Sequence, residues 1–287
     1  MQKLIFTNSR GDSVTIGHNP PFQLASIEGL GDLDADIQTS KAAYQDGSTY
    51  LDALLNERNI SIGFRIKEDS IEDLFELRRI VSSVFNPKFG LGELRYEYPG
   101  GVKVINAVPD HVPTFPSGGS NHGPTFQRSM ISLICPDPYW RDIESISKPM
   151  SAIEPRFSFP LKFPVEFGSE GSRQVYDNIG DVPAPVLIEF RGPATNPKVI
   201  NETTGEFIQL NRILGPDDRL FIDTSIGNKT VEIVDGAGNR TNVFNWLDVN
   251  STLFDLELGE NTISYVADDG RENAIVQITY QNRYVGI

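Results

Sequence analysis

The sequence predicts a mainly β chain in two domains, and three observations carry that prediction. Short runs rich in Val, Ile, Phe and Thr recur along its whole length, the composition that suits a pleated, half-buried surface. Gly, Asn, Asp and Pro cluster between the runs, where tight reversals need positive φ or a preset φ. Only one segment carries a helical period. At 287 residues there is room for two proper cores, and 39% hydrophobic residues is ordinary for a globular protein.

In the first half, strands are predicted at 4–6, 13–16, 22–27, 59–66, 94–98, 102–108 and 128–134. The helix falls at 70–85. Ser70 can cap its first turn and Asp73 completes a capping-box spacing, while Leu74, Leu77, Val81 and Val84 repeat at three, four and three residues to form one apolar stripe. Asn86-Pro87 stops it. One helix among strands cannot cover both faces of a sheet, so the expected arrangement is a β-sandwich with the helix packed on one side.

Two long segments in this half are expected to be surface features. Residues 32–56 are rich in Asp, Gln, Ser, Thr and Gly, and Tyr44-Gln-Asp-Gly-Ser-Thr-Tyr50 holds an Asp-Gly turn signal that fits a protruding hairpin. Residues 109–124, with Ser117-Gly-Gly-Ser-Asn-His-Gly123 at their centre, read as a flexible loop. The join follows at Cys135-Pro-Asp-Pro-Tyr-Trp-Arg141, where two prolines prevent helix. Domains of 1–137 and 138–287 are expected.

The second half reads as strands at 186–190, 207–210, 220–223, 230–234, 253–258, 261–266 and 274–280. Turn residues separate them at 204–205, 215–217, 226–228, 235–239, 259–261 and 268–270. Such spacing indicates an antiparallel sandwich or jelly-roll-like module. An early strand at 157–167 is interrupted by Pro160 and Pro164, which points to an edge or irregular strand.

Composition excludes several function classes. A formal charge of −14, from 39 acidic and 25 basic residues, argues against a protein that grips phosphate backbones. The plain reading is a solvated acidic surface; the sharper one is an acidic lumen that lets nucleic acid pass without sticking. No run approaches 18 apolar residues and the N-terminus turns polar after three, so no signal peptide, anchor or membrane insertion is expected. Cys135 is the single cysteine and is expected to be a buried small hydrophobe.

No catalytic, cofactor-binding or metal-ligating residue emerges. His18, His111 and His122 sit in loops or at strand ends, outside any Gly-x-Ser-x-Gly or His-Glu-x-x-His pattern. Asp32-Leu-Asp-Ala-Asp36 begins like a calcium loop, but its sixth position is Ile37 and its twelfth Ala43, so bidentate closure is missing. Gly29-Leu-Gly31 and Gly90-Leu-Gly92 lack the strand-then-helix frame of a phosphate cradle. Asp217-Asp218 and Asp268-Asp269 fall in turns, where Asp caps local backbone. The chain reads as non-enzymatic.

The stretch 181–201, Asp-Val-Pro-Ala-Pro-Val-Leu-Ile-Glu-Phe-Arg-Gly-Pro-Ala-Thr-Asn-Pro-Lys-Val-Ile-Asn, resembles the C-terminal domain of the phage distal tail proteins, of long non-contractile tails or related tail-like bacteriocins. The matching order continues through Thr203-Thr-Gly-Glu-Phe-Ile-Gln-Leu210, Asp218-Arg-Leu-Phe-Ile-Asp-Thr224 and Ser251-Thr-Leu-Phe-Asp-Leu-Glu-Leu-Gly-Glu-Asn-Thr-Ile-Ser-Tyr265 to Tyr280-Gln-Asn-Arg-Tyr-Val-Gly-Ile287. The resemblance implies a galectin-like sandwich after a ring-forming N-terminal domain. It further implies a structural virion protein at the tail tip, made in the bacterial cytoplasm: a hexameric ring joining the tail tube to the host-adsorption apparatus. The implied partners are copies of itself, the tail tube protein, a tail-associated lysin, fibre or receptor-binding protein, and the tape-measure protein in an axial channel that later passes DNA. The alternative is a module binding cell-wall glycan, with Phe244, Trp246 or Tyr265 stacked on sugar rings; a strand-like run around Phe244-Asn-Trp246 argues instead for core aromatics.

Overall fold

The computed structural model describes residues 1–151, 153–154, 169–170, 173–269 and 274–287. The chain divides into two compact units, one of residues 1–143 with 284–287 and one of 144–283. The first therefore runs past the prolines at the expected join. Trp140 is fully buried in its core, and the indole N–H donates to the carbonyl of Leu30 at 3.2 Å, so the segment after Pro138 stays with unit 1.

Unit 1 contains β1 (Lys3–Thr7), β2 (Ser13–Ile16), β3 (Phe22–Glu28), β4 (Ala35–Ser40), β5 (Thr49–Leu55), β6 (Arg58–Lys67), α1 (Ile71–Val84), β7 (Gly92–Tyr98), β8 (Gly101–Pro109), β9 (His122–Gly123), β10 (Phe126–Cys135) and β11 (Trp140–Asp142). The antiparallel order is β2-β1-β7-β8-β10-β6-β3. The two outer strands approach each other again: Gly17, just after β2, bridges Gln23 on β3. Strict alternation makes one face the core. On β6, Arg58, Ile60, Ile62, Phe64 and Ile66 are buried, and they meet Leu4, Phe6, Leu94, Ile105, Ile131 and Leu133 from the other strands.

Every strand expected in this half is present, most a residue or two longer. Helix α1 matches its prediction at both ends. The Ser70 hydroxyl accepts from the Asp73 N–H at 3.4 Å, one half of a capping box, and donates to the Glu72 carboxylate at 2.9 Å. Leu74, Val81 and Val84 bury their side chains and Leu77 packs part-buried beside them. Phe85, the last cap residue, stacks on Phe6 with ring centroids 4.7 Å apart.

Residues 109–124 differ from a free loop. Thr114 bridges Met130, and β9 pairs with the start of β10. The buried Gln127 amide donates to the carbonyls of Pro116 and Asn121 as well as to that of Arg128 on its own strand, so this buried donor ties the segment to β10.

Unit 2 adds β12 (Ile146–Ser151), β13 (Ile153–Glu154), β14 (Ser169–Glu170), β15 (Arg173–Asn178), β16 (Val186–Arg191), β17 (Ala194–Thr195), β18 (Lys198–Asn201), β19 (Glu206–Gln209), β20 (Ile213–Leu214), β21 (Arg219–Asp223), β22 (Thr230–Val234), β23 (Arg240–Asn242), β24 (Gly259–Val266) and β25 (Ile275–Tyr280), after which β26 (Arg283–Tyr284) returns the chain to β11. Its main sheets run β12-β25-β16-β21-β22-β23 and β15-β24-β18-β19. Their inner faces share one core of Ile188, Phe190, Ile222, Ile263, Tyr265 and Ile278, among others, the packing of an antiparallel sandwich.

Two expected strands of this half take another form. Residues 253–258 make a single bridge, Leu256 to Ala184; Phe254 and Leu256 are buried, so the alternation there reflects packing without a ladder. Phe244-Asn-Trp246 is a 3₁₀ turn. The Asn242 side chain accepts from the Phe244 N–H at 3.0 Å, an Asx-type arrest of the strand. The expected strand at 157–167 lies outside the described residues. Among the described residues, no helix is long and apolar enough to cross a membrane.

Candidate assembly surface

Strands β4 and β5 form a separate two-stranded sheet. Every residue of β4 is exposed, as is every residue of β5 except the half-buried Leu55. Cross-strand pairs run from Ala35–Leu55 to Ser40–Thr49, with an irregularity after Gln38. Residues directly opposite point the same way, so Ala35, Ile37, Ala53 and Leu55 share one face while Asp36, Gln38, Asp52 and Leu54 share the other. At the tip the Gln45 side chain accepts from the Ala42 N–H at 3.0 Å, and Gly47 takes the φ of 75° that the Asp-Gly signal predicts.

The hairpin exposes apolar area that water disfavours. An isolated two-stranded ribbon is marginal in water, yet this one exposes Ile37, Tyr44, Tyr50, Leu51 and Leu54, each by more than half. Contiguous exposed apolar side chains mark sites of association.

The groups weighed for chemistry make local contacts within the fold. The fully buried Cys135 thiol is pushed up to about 12, first by burial and against the attraction of Arg58. Gly29-Leu-Gly31 is a clamp for a cation already in the fold. The Gly29 carbonyl accepts from Arg58 at 2.8 Å, and Gly29 has φ +91° with a hypothetical Cβ only 2.0 Å from the Asn59 oxygen. The Arg58 guanidinium, 1% exposed, also donates to the carbonyls of Pro138 and Val285. Burial is the main cause that lowers its pKa. Sequence reading passed over Arg58; the one signal is its position in the first inward-facing slot of β6.

Asp32, Asp34 and Asp36 are exposed, and no group of three or more His, Cys, Asp or Glu suited to a metal occurs among the described residues. Asp218 accepts from the Gly215 N–H at 2.7 Å within its turn, and Asp268 accepts from the side-chain amide of Asn196, 72 residues away, at 2.7 Å. His111 contacts the Val112 carbonyl at 2.8 Å. His122 lies 6.5 Å edge-on from Phe75, and His18 is exposed beyond β2. Of the aromatics weighed for sugar stacking, Tyr265 is fully buried and edge-on to Phe190 at 5.0 Å. Trp246 is packed against the core with the Arg212 guanidinium 5.3 Å from its ring, and Phe244 is exposed.

Fold and surface together describe a two-unit β protein with an exposed two-stranded hairpin. Residues 9–135 match the phage tail protein RIFT-related domain, and residues 179–284 match the C-terminal domain of the siphovirus-type tail component. The chain belongs to the siphophage distal tail family: it is a structural protein of the distal tail and baseplate, a component of the virion tail tip. In fold it is similar to the crystal structure of the Dit protein of phage SPP1, described as a paradigm of the hub adsorption apparatus in phages infecting Gram-positive hosts, with a TM-score of 0.69 at 11% identity over 99% of each chain. It is also similar to a chain of the phage p2 baseplate in its activated conformation with Ca, with a TM-score of 0.58 at 12% identity, covering 100% of this chain and 99% of that one. The same baseplate with Sr gives a TM-score of 0.58 at 13% identity, with the same coverage. No curated protein matches the chain.

Proposed function

We propose that copies of this chain assemble head-to-tail through unit 1 into a six-membered ring that joins the tail tube to the adsorption apparatus. A heterologous contact that closes on itself leaves an axial hole; the tape-measure protein and later DNA would pass through it, and the acidic composition opposes adsorption of DNA to its wall. Unit 2 would carry the docking site for a tail-associated lysin, fibre or receptor-binding protein. The function is geometric and calls for no reaction.

The observation that carries this reading is the hairpin of β4 and β5, with its apolar side chains turned to solvent. The test compares the full chain with a variant in which residues 36–54 are replaced by a short Gly-Ser turn, using light scattering and electron microscopy, alone and with the tail tube protein. Six-fold rings from the full chain and monomers from the variant are expected. A chain that stays monomeric with its tail partners, from particles whose images hold no ring of this subunit, would refute the proposal.

A further inference from the structure

The outward face of β3, β6 and β10 carries an arrangement that the fold alone does not account for. Arg65 on β6 lies directly opposite Arg128 on β10, and Gln23 on β3 lies directly opposite Arg65 on its other side. Lys67 projects from the same face of β6, two residues on. Like charges directly opposite on an antiparallel pair destabilise it. Arg65, Lys67 and Arg128 are all exposed, and among the described residues none of the three forms an ion pair. Arg65 rests its guanidinium over the Phe126 ring, 5.6 Å from the centroid, which leaves its N–H fork free. The two arginines, with His18, Gln23, Leu24 and Ala25, line an open cavity of about 370 Å³. Gln23 is steadied by a bond of 3.3 Å to the His18 carbonyl. In a chain of net charge −14, this cationic seat is a local concentration of positive charge.

The complementary charge lies on the hairpin. Between residues 32 and 56 stand Asp32, Asp34, Asp36, Asp46 and Asp52 against Lys41 alone, and Asp36 and Asp52 share one face with Gln38 and Leu54. Two guanidinium forks side by side match two carboxylates on one face, since Arg binds carboxylate bidentately and as a planar group. The hairpin of the same chain stands exposed, so the carboxylates that reach the seat come from another copy. We infer that the Arg65–Arg128 face is the acceptor surface for the acidic face of a second copy's β4–β5 hairpin. This rests on the ring reading and supplies its other half: hairpin and acceptor are different patches, so the contact is heterologous and repeats from copy to copy. Charge steering makes it strongest at low ionic strength.

Charge exchange tests the assignment in the full chain, by sedimentation velocity at 50 and 500 mM salt, with far-UV circular dichroism to check the fold. The acceptor variant carries Arg65→Glu and Arg128→Glu; the hairpin variant carries Asp34→Lys, Asp36→Lys and Asp52→Lys. Each alone should need at least tenfold more protein than wild type to associate. Mixed in equal amounts, every junction is again of opposite charge, and association should return to within about threefold of wild type. Variants that associate like wild type overturn the acceptor while leaving the ring standing. So does a mixture that stays apart, and so does wild type that remains monomeric at low salt. If polyphosphate binds wild type and not the acceptor variant, while association is unaffected, the seat takes a phosphate polymer and the inference falls. Loss of the ring reading shows separately, as particles without a ring of this subunit.

Discussion

Replacing Arg58 with methionine keeps an unbranched side chain of similar length on β6 while stripping three backbone carbonyls, of Gly29, Pro138 and Val285, of their donor. Each charge-assisted bond lost at a buried acceptor costs about 1.5–3 kcal/mol. Against that loss stands the release of a buried guanidinium, whose desolvation is a penalty of several kcal/mol. A net destabilisation of about 3–5 kcal/mol results, as when one partner of a buried charged network is removed. For a domain near 150 residues each kcal/mol shifts Tm by about 2–4 °C, so a fall of about 6–20 °C is expected. Arg58→Lys keeps the charge, but its three donors share one nitrogen and cannot span carbonyls that the planar guanidinium reaches through three separate nitrogens; it should fall between. Fluorescence of Trp140, buried in unit 1, reports the transition in a Trp246→Phe background. A methionine variant melting within 2 °C of its parent would refute the argument that this cation organises unit 1.

Three further outcomes follow from the packing. Leu74→Asp puts an unpaired carboxylate at a fully buried helix position and should cost about 3–5 kcal/mol; chemical denaturation measures it, and an unchanged midpoint contradicts the stripe. Gly29→Ala meets both a positive φ and the Asn59 carbonyl, so soluble yield should collapse, whereas Gly118→Ala, with open space around its Cβ, should cost about 1 kcal/mol from its φ alone. Cys135 should resist thiol reagents up to pH 9, because burial holds its pKa near 12 in the fold against about 8.5 when unfolded. Its neutral form is favoured only in the folded state, so this contribution is intact below about pH 8.5 and is lost as pH rises from there towards 12; labelling of the native protein at pH 9 faster than global unfolding would disprove it.

Much of the architecture is written in local chemistry. Ser70 and Asn86-Pro87 bound α1 because a cap and a missing N–H act within one turn. The Asp-Gly pair announces the hairpin tip because few residues accept its φ. The failures share a cause as well. Apolar alternation at 253–258 signals burial, and burial there is met by side chains without a ladder. β12, β15 and β18 pass unseen because Lys148, Pro149, Gln174, Asp177 and Lys198 dilute their apolar residues, while register with β25 and β24 holds them. The cationic seat is invisible for a similar reason: Arg65 and Arg128 are 63 positions apart, and only the β6–β10 register sets them face to face.

The return of residues 284–287 to unit 1 has a consequence for the order in which the protein is made. A ribosome ordinarily releases an N-terminal domain able to fold while the rest is still being synthesised. Here Arg58 is polymerised early, but one of its three acceptors, Val285, lies 227 residues further along the chain. Gly286 likewise settles within contact distance of Gly31. The nascent first unit must therefore hold an incompletely satisfied guanidinium throughout synthesis of the second. Unit 1 therefore reaches its final stability only once residues 284–287 have been made and have returned to it.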